Sequence, residues 1–259
     1  MVFAGRIPEQ KELDRLYSSY PVHEGLNPVT RKRYAELLSE LDDFRQLNRI
    51  LDAGCGSGFF LDEAQKNGWK AFGSEYDPVT VEQCRDRGMI MCSGQLEENS
   101  FPKNNFDVIT SFEVIEHLAD PLKELKLFHR FLRPGGILYL TTPNFNSIGK
   151  TIAGSDWSVV NYPEHLNYFT PATLHKALGI AGFQVRSSRT TGISISRILH
   201  GRSKNHENEA NVNPQNTDQR IRGSIENNFL LRSLRSVTNA ILSATGKGDS
   251  LKICCTKPQ

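Results

Sequence analysis

The sequence predicts an α/β fold built on a mostly parallel sheet with helices on both faces. Three observations carry this. Short β-rich runs alternate with helical runs from about residue 48 to residue 190. The first strand falls straight into glycines on alternate positions, Gly54, Gly56 and Gly58, in the stretch ILDAGCGSGFFL over 50–61. The length, 259 residues, suits one large domain or a domain with an appendage.

The elements follow in order. Asn27-Pro28 starts a helix, and Tyr34, Leu37, Leu38 and Leu41 recur at helical spacing. Residues 48–53 form a strand, followed after the glycines by a helix to about Asn67, closed by Gly68. A strand over 70–74 leads to a helix that opens with Pro78 and ends at Gly88. Strands over 89–92 and 106–111 come next. Asp120-Pro121 caps a helix to Leu132, 133–136 is a turn, and 137–142 is a fifth strand. Thr170-Pro171 opens a helix ending near Gly179 or Gly182, and 183–190 and 251–256 are the last strands. The polar, Asn-rich segment 201–228 reads as a mobile loop. After it, Phe229, Leu230, Leu234, Val237, Ile241 and Leu242 mark one helix face, with Arg232 and Arg235 among the polar positions. Two readings of that helix are packing on the domain or contact of 229–242 with a membrane surface.

Composition removes several classes. Lys plus Arg number 31 against 29 Asp plus Glu, a formal net charge of +2, where nucleic-acid-binding proteins are usually far more basic; the sequence shows no clear nucleic-acid site, and the charge asks for none without excluding RNA. Mean hydropathy is −0.44, and no apolar run approaches the roughly 20 residues of a transmembrane segment. The N-terminus lacks the apolar core of a secretory signal. Cys55, Cys84, Cys92, Cys254 and Cys255 show no Cys-x-x-Cys spacing and read as reduced, apolar residues of a cytoplasmic protein.

In an open parallel sheet, ligands bind beyond the carboxyl ends of the strands, where the glycine loop lies. Glycine lets the backbone turn tightly and a ligand approach it, and the following helix offers backbone N–H groups. A phosphate-cradling Gly-x-x-x-x-Gly-Lys-Ser/Thr loop fails, because Asn144 stands at the first glycine position before Gly149-Lys150-Thr151. A dinucleotide Gly-x-Gly-x-x-Gly loop is disfavoured, because Phe59 stands where its third glycine belongs. Glu75, at the end of the second strand, can accept hydrogen bonds from a ribose diol. A nucleoside without a phosphate cradle points to S-adenosylmethionine.

Asp52-Ala53-Gly54-Cys55-Gly56-Ser57-Gly58 resembles motif I of the class I S-adenosylmethionine-dependent methyltransferases. Glu75 matches their ribose-binding acid, and Gln95-Leu96-Glu97 stands where they hold the adenine. Phe106-Asp107-Val108-Ile109 matches their fourth strand, and Leu132-Arg133-Pro134-Gly135-Gly136 the turn before their fifth. The resemblance implies a Rossmann-like, doubly wound seven-stranded sheet, mostly parallel with an antiparallel last strand. It implies cofactor contacts from Asp52, Gly54, Cys55, Gly56, Gly58, Phe59, Glu75, Tyr76, Gln95, Leu96, Ser111 and Glu113. The expected organisation is a single domain over 1–259: an N-terminal helical cover (1–47), a cofactor-binding core (48–190), a helical, partly mobile insertion (191–249) and the last strand (250–259).

Two segments bear on the methyl acceptor. If Glu113 begins a helical turn, Glu116 and His117 share its face. This Glu-x-x-Glu-His segment resembles the metal-ligand motif of ubiquinone-pathway O-methyltransferases and of small-RNA 3′-end 2′-O-methyltransferases. That resemblance implies Mg²⁺ or Mn²⁺ held by Glu113, Glu116, His117 and His165. The second segment, 157–169, resembles bacterial methyltransferases encoded with surface-polysaccharide genes. Pro143-Asn144, Gly154, Trp157, Pro163, His165, Leu166, Phe169 and Gly248-Asp249 carry the match. That branch often lacks the first glutamate, so it does not imply a metal. Trp157, Tyr162, Tyr168 and Phe169 are expected as pocket wall, and Tyr17 and Tyr20 as cover.

The expected function is O-methylation of a small-molecule or glycan intermediate. His165, His117 and Glu116 are the candidate catalytic residues, with His165 as base or the metal activating the oxygen. The alternatives are a metal-dependent RNA 3′-end methyltransferase and a non-enzymatic S-adenosylmethionine-binding protein.

Overall fold

A computed structural model describes residues 2–8, 12, 25–194 and 229–259. Seven strands form one sheet in the order β4-β3-β2-β5-β6-β9-β8. They are β2 (Arg49–Ala53), β3 (Lys70–Glu75), β4 (Ile90–Ser93), β5 (Phe106–Phe112), β6 (Leu132–Pro143), β8 (Gln184–Thr191) and β9 (Ser250–Thr256). The pairs from β4 to β6 are parallel, and β9 runs antiparallel between β6 and β8. The expected doubly wound sheet with an antiparallel last strand is therefore the observed one.

Alternation along the strands sends neighbouring residues to opposite faces. Leu51, Ile109 and Leu138 share a buried cluster with Leu125 and Phe128 of α4 (Pro121–Phe131) and with Leu174 and Leu178 of α6 (Pro171–Ile180). Ile50, Val108 and Ile137, one residue earlier on the same strands, pack on the other face. There they meet Leu38 and Leu41 of α1 (Pro28–Asp42), Phe60, Leu61 and Ala64 of α2 (Phe59–Lys66), and Val81 of α3 (Pro78–Asp86). Caps set the helix starts. Asn27, Asp77 and Asp120 accept from Val29, Thr80 and Lys123 backbone N–H groups, each ahead of a proline in the first turn. Thr170 and Thr173 cap each other's backbone at α6.

Four expectations change. The turn over 133–136 belongs to β6: Phe106 pairs with Leu132 and Val108 with Ile137, so the extra residues bulge out of the ladder. A helix unforeseen in the sequence, α5 (Ile148–Ala153), follows β6, and a two-stranded ribbon joins β1 (Val2–Phe3) to β7 (Asn167–Tyr168). The helix α7 (Phe229–Thr245) is rotated from its expected face. Leu242 is buried while Leu234, Val237 and Ile241 face outward. Hydrogen bonds decide this: Thr190 Oγ1 donates to Leu242 O at 2.6 Å, and Gly192 N donates to Asn239 Oδ1 at 2.9 Å, drawing the 239/242 side onto β8. No helix among the described residues is long and apolar enough to cross a membrane. The segment 201–228, Tyr17, Tyr20 and the Arg232 side chain lie outside the described residues.

At the amino edge of the sheet, buried Asp107 at the start of β5 ties three segments together. Its carboxylate accepts from Leu47 N at 3.0 and 2.8 Å, Arg49 N at 3.2 Å and Arg133 Nε at 2.6 Å. Arg133, on the β6 bulge, also donates to Phe44 O at 2.6 Å. Asp107→Ala leaves the Arg133 guanidinium uncompensated with its side chain only 11% exposed. Urea unfolding should show a loss of about 3–5 kcal/mol. A loss below about 1 kcal/mol, the scale of an exposed pair, would remove the network from this role.

Candidate active site

The glycine loop leaves β2 at its carboxyl end, and the backbone turns three times through positive φ: 71° at Gly54, 50° at Gly56 and 72° at Gly58. Packing adds a second demand. A Cβ on Gly54 would lie 2.6 Å from Val114 Cγ2, and one on Gly58 2.8 Å from Cys84 Sγ. At Gly56 a Cβ would meet nothing within 4 Å, so the middle of the loop is open to a ligand. The loop hangs on β3: Gly54 N and Cys55 N donate to Ser74 O at 2.9 and 3.0 Å, and Gly56 N to Glu75 Oε2 at 2.8 Å. Glu75 Oε1 accepts from Tyr76 N at 2.6 Å and Asp77 N at 3.2 Å. A carboxylate has about four lone-pair sites, so Glu75 keeps acceptor capacity for a diol.

Asp52 is buried and accepts from Thr110 Oγ1 at 2.7 Å. Burial pushes its carboxyl up to about 8; the Thr110 hydrogen bond opposes that rise, and the charge of Glu75 adds to it. Tyr34 of α1 covers this corner. Its ring lies 5.2 Å from Phe60 and 5.8 Å from Phe112, and its phenol is pushed up to about 12 by burial and by Asp52. Beneath the loop the Cys55 and Cys84 thiols both donate to Gly56 O, at 3.6 and 3.8 Å, and Arg87 Nη2 donates to Cys84 Sγ at 3.3 Å. The neighbouring thiol raises Cys55 and lowers Cys84; burial opposes the fall at Cys84 and the Arg87 guanidinium favours it.

Past β5 the chain brings three candidate residues together. The ligand atoms of Glu116, His117 and His165 lie within 4.8 Å of one another. Glu116 and His117 stand on a single 3₁₀ turn, Ile115–His117, directly after Val114, the residue that packs on Gly54. Glu116 is buried and its Oε2 accepts from Thr142 Oγ1 at 2.9 Å. The Glu116 backbone carbonyl accepts from Leu166 N at 2.8 Å, which holds the 157–169 segment against the turn. His117 Nδ1 bonds Glu164 O at 2.8 Å, and His165 Nδ1 bonds Val159 O at 2.7 Å. A carbonyl only accepts, so each Nδ1 carries the proton and each Nε2 keeps its lone pair. The rings are 4.7 Å apart, edge to face. Burial and the neighbouring His165 lower His117 to about 4, so it is neutral near pH 7.

The other expected residues fall as follows. Glu113 is outside the cluster: its φ of 55° is left-handed, so it begins no helical turn and the expected four-residue metal set loses its first member. Phe59 opens α2. Gln95 is exposed beyond β4, whereas the Leu96 side chain is buried in the core, leaving its backbone for ligand contact. Ser111 is buried inside β5, one residue short of its end. Of the expected pocket wall, Trp157 and Phe169 are core residues, 1% and 0% exposed, Tyr168 is buried, and Tyr162 is half exposed. Sequence reasoning missed Thr110 and Thr142, buried hydroxyls in apolar strands, and such residues signal a polar partner. It also missed Val114 and the role of Tyr34.

The loop geometry predicts that Gly54→Ala weakens S-adenosylhomocysteine binding by roughly tenfold or more, since strain of about 1–3 kcal/mol accompanies a side chain at this φ. Unchanged affinity by calorimetry would refute the packing argument. For Asp52, the folded state holds its proton up to about pH 8, against 3.8 for an ordinary aspartate. The parent therefore loses stability as pH rises across that window. The stability of Asp52→Asn relative to the parent should grow from about pH 4 to pH 8 and then level; a pH-independent difference would show that Asp52 is not held protonated.

A methyltransferase-domain family profile matches residues 28–188. A "Probable S-adenosylmethionine-dependent methyltransferase" of Mycolicibacterium smegmatis is 33% identical over 141 residues, covering 54% of this chain and 53% of that protein, so the chain spans about half the length of this relative. A ubiquinone biosynthesis O-methyltransferase of Cereibacter sphaeroides is 29% identical over 182 residues, covering 62% of this chain and 73% of that protein. The crystal structure of a SAM-dependent methyltransferase from Archaeoglobus fulgidus superposes with a TM-score of 0.57 at 19% identity, over 88% of this chain and 94% of that one, which shows the shared fold. The matched span runs from α1 through most of β8 and contains the whole glycine loop and the Glu116/His117/His165 cluster. The chain belongs to the methyltransferase-domain family and shares the fold of S-adenosylmethionine-dependent methyltransferases.

Proposed function

We propose that this chain O-methylates a hydroxyl on a small-molecule or glycan biosynthetic intermediate, with the Glu116/His117/His165 cluster serving the acceptor oxygen. The carrying observation is that cluster's chemistry: two imidazoles with Nε2 lone pairs beside one buried carboxylate, next to the loop. The name of the Cereibacter relative, an O-methyltransferase, supports the same acceptor class.

Methyl transfer forms an O–CH₃ bond, breaks the S–CH₃ bond and releases S-adenosylhomocysteine. The hydroxyl proton has to leave. His165 Nε2 is suited to accept it, because the Val159 carbonyl stabilises the Nδ1–H of the resulting imidazolium. His117, lowered to about 4 by burial and by His165, is a weak base and suits the role of a neutral ligand. On the cofactor side, the open Gly56 backbone and the acceptor capacity of Glu75 fit a nucleoside.

The donor set also fits a divalent cation such as Mg²⁺ or Mn²⁺: one carboxylate and two imidazoles, each imidazole oriented by a carbonyl on its other nitrogen. Glu116, His117 and His165 would hold it, and it would supply acidification and orientation of the acceptor hydroxyl.

The test is methyl transfer from isotopically labelled S-adenosylmethionine to a panel of phenolic and sugar hydroxyls, with and without chelator. Label is expected on oxygen, with His165→Ala lowering kcat about 10²-fold or more while S-adenosylhomocysteine binding persists. Label on nitrogen or carbon, or a fully active His165→Ala, would overturn the reading. If a metal is used, Glu116→Gln and His117→Ala should abolish direct Mn²⁺ binding by the folded protein.

A further inference from the structure

At the amino edge of the sheet, opposite the glycine loop, a concave site of about 570 Å³ gathers Lys103, Lys126, Arg130 and Lys257, with Glu98 and His129 also lining it. The topology forms it: β9 is antiparallel, so its end brings Lys257 beside the start of β5 and the β6 bulge. Among the described residues, none of the four cations lies within 4.0 Å of a carboxylate, although Glu98 shares the site. Lys257 is only 8% exposed. Its Nζ donates to Asn104 Oδ1 at 2.8 Å and to Leu132 O at 2.9 Å, both neutral acceptors, and an ammonium has a third N–H to give. Burial and the Lys103 charge hold Lys257 below the usual lysine range, and burial and Lys257 do the same to His129. Lys257 is thus a buried cation beside the Lys103 charge with only neutral hydrogen-bond acceptors, and a buried charge of this kind is costly unless paired.

We propose that this cavity binds a phosphate-bearing small molecule, whose oxyanion pairs with Lys257 at its floor and with Lys103, Lys126 and Arg130 around it. The volume lies within the range of small-molecule pockets, about 300–1,000 Å³. The whole chain carries a formal charge of only +2, so the site stands out against a nearly balanced chain. The site is separate from methyl transfer, since the cofactor loop lies at the other edge of the sheet.

The experiment is calorimetric titration of the full chain with inorganic pyrophosphate at fixed ionic strength, with inorganic phosphate and a single-stranded RNA oligonucleotide as further arms. Saturable 1:1 pyrophosphate binding is expected, weakened at least about tenfold (1.4 kcal/mol) in Lys103→Ala/Lys126→Ala and in Lys257→Met. The paired surface variant keeps the test valid if Lys257→Met fails to fold, and its S-adenosylhomocysteine affinity should match the parent's. Tighter binding of pyrophosphate than of phosphate would point to a diphosphate-bearing ligand, and the reverse order to a monoester. No saturable binding, equal binding by the surface variant, or RNA binding that pyrophosphate does not displace would each overturn the proposal.

Discussion

The left-handed backbone at Gly54, Gly56 and Gly58 is the constraint on which the rest of the site depends. It turns the chain at the end of β2 within a few residues, and it lets Val114 sit where a Gly54 side chain would be. Because Val114 directly precedes the turn bearing Glu116 and His117, the glycine loop and the Glu116/His117/His165 cluster are held by one contact. The same turn allows Gly56 N to reach Glu75, so the ends of β2 and β3 form one surface. The ends of β2 and β3 and the Glu116/His117/His165 cluster are thereby placed side by side with little freedom between them.

Buried hydroxyls do the quieter electrostatic work. Thr110 satisfies Asp52, and Thr142 satisfies one oxygen of Glu116. Two backbone carbonyls, of Val159 and Glu164, set the tautomers of both histidines. These four partners come from two strands and one irregular segment, so the site's chemistry depends on the sheet being complete. At the far edge, Asp107 and Arg133 hold β2, β5 and the β6 bulge in register. That bulge also helps bring Lys257 to the basic cavity.

The core of the fold was legible because its signals are local. Proline and capping residues mark α1, α3, α4 and α6, and apolar strands separated by glycines mark β2 to β5. The reading weakened wherever distant partners decide the outcome. Arg133 to Gly136 look like a turn, yet the pairing of Phe106 with Leu132 draws them into β6. Leu234, Val237 and Ile241 look like a packed face, yet Thr190 and Asn239 rotate α7 so that Leu242 is the buried one. Glu113 looks like the first residue of a helical turn, and its left-handed φ removes it from the cluster.

By itself the sequence determined the α/β class, the mostly parallel core and the cofactor edge, because glycine spacing, strand alternation and helix caps act over a few residues; the antiparallel last strand was implied by the family resemblance alone. It also named His117 and His165 as candidates from segments 48 residues apart. Only the tertiary structure decided that these two and Glu116 meet, that Asp52 is buried on Thr110, and that Lys257 closes a basic cavity. The physical reason is that each of these depends on strands adjacent in space and remote in the chain, and the energies involved, desolvation and hydrogen bonding, belong to the assembled environment and not to any single segment.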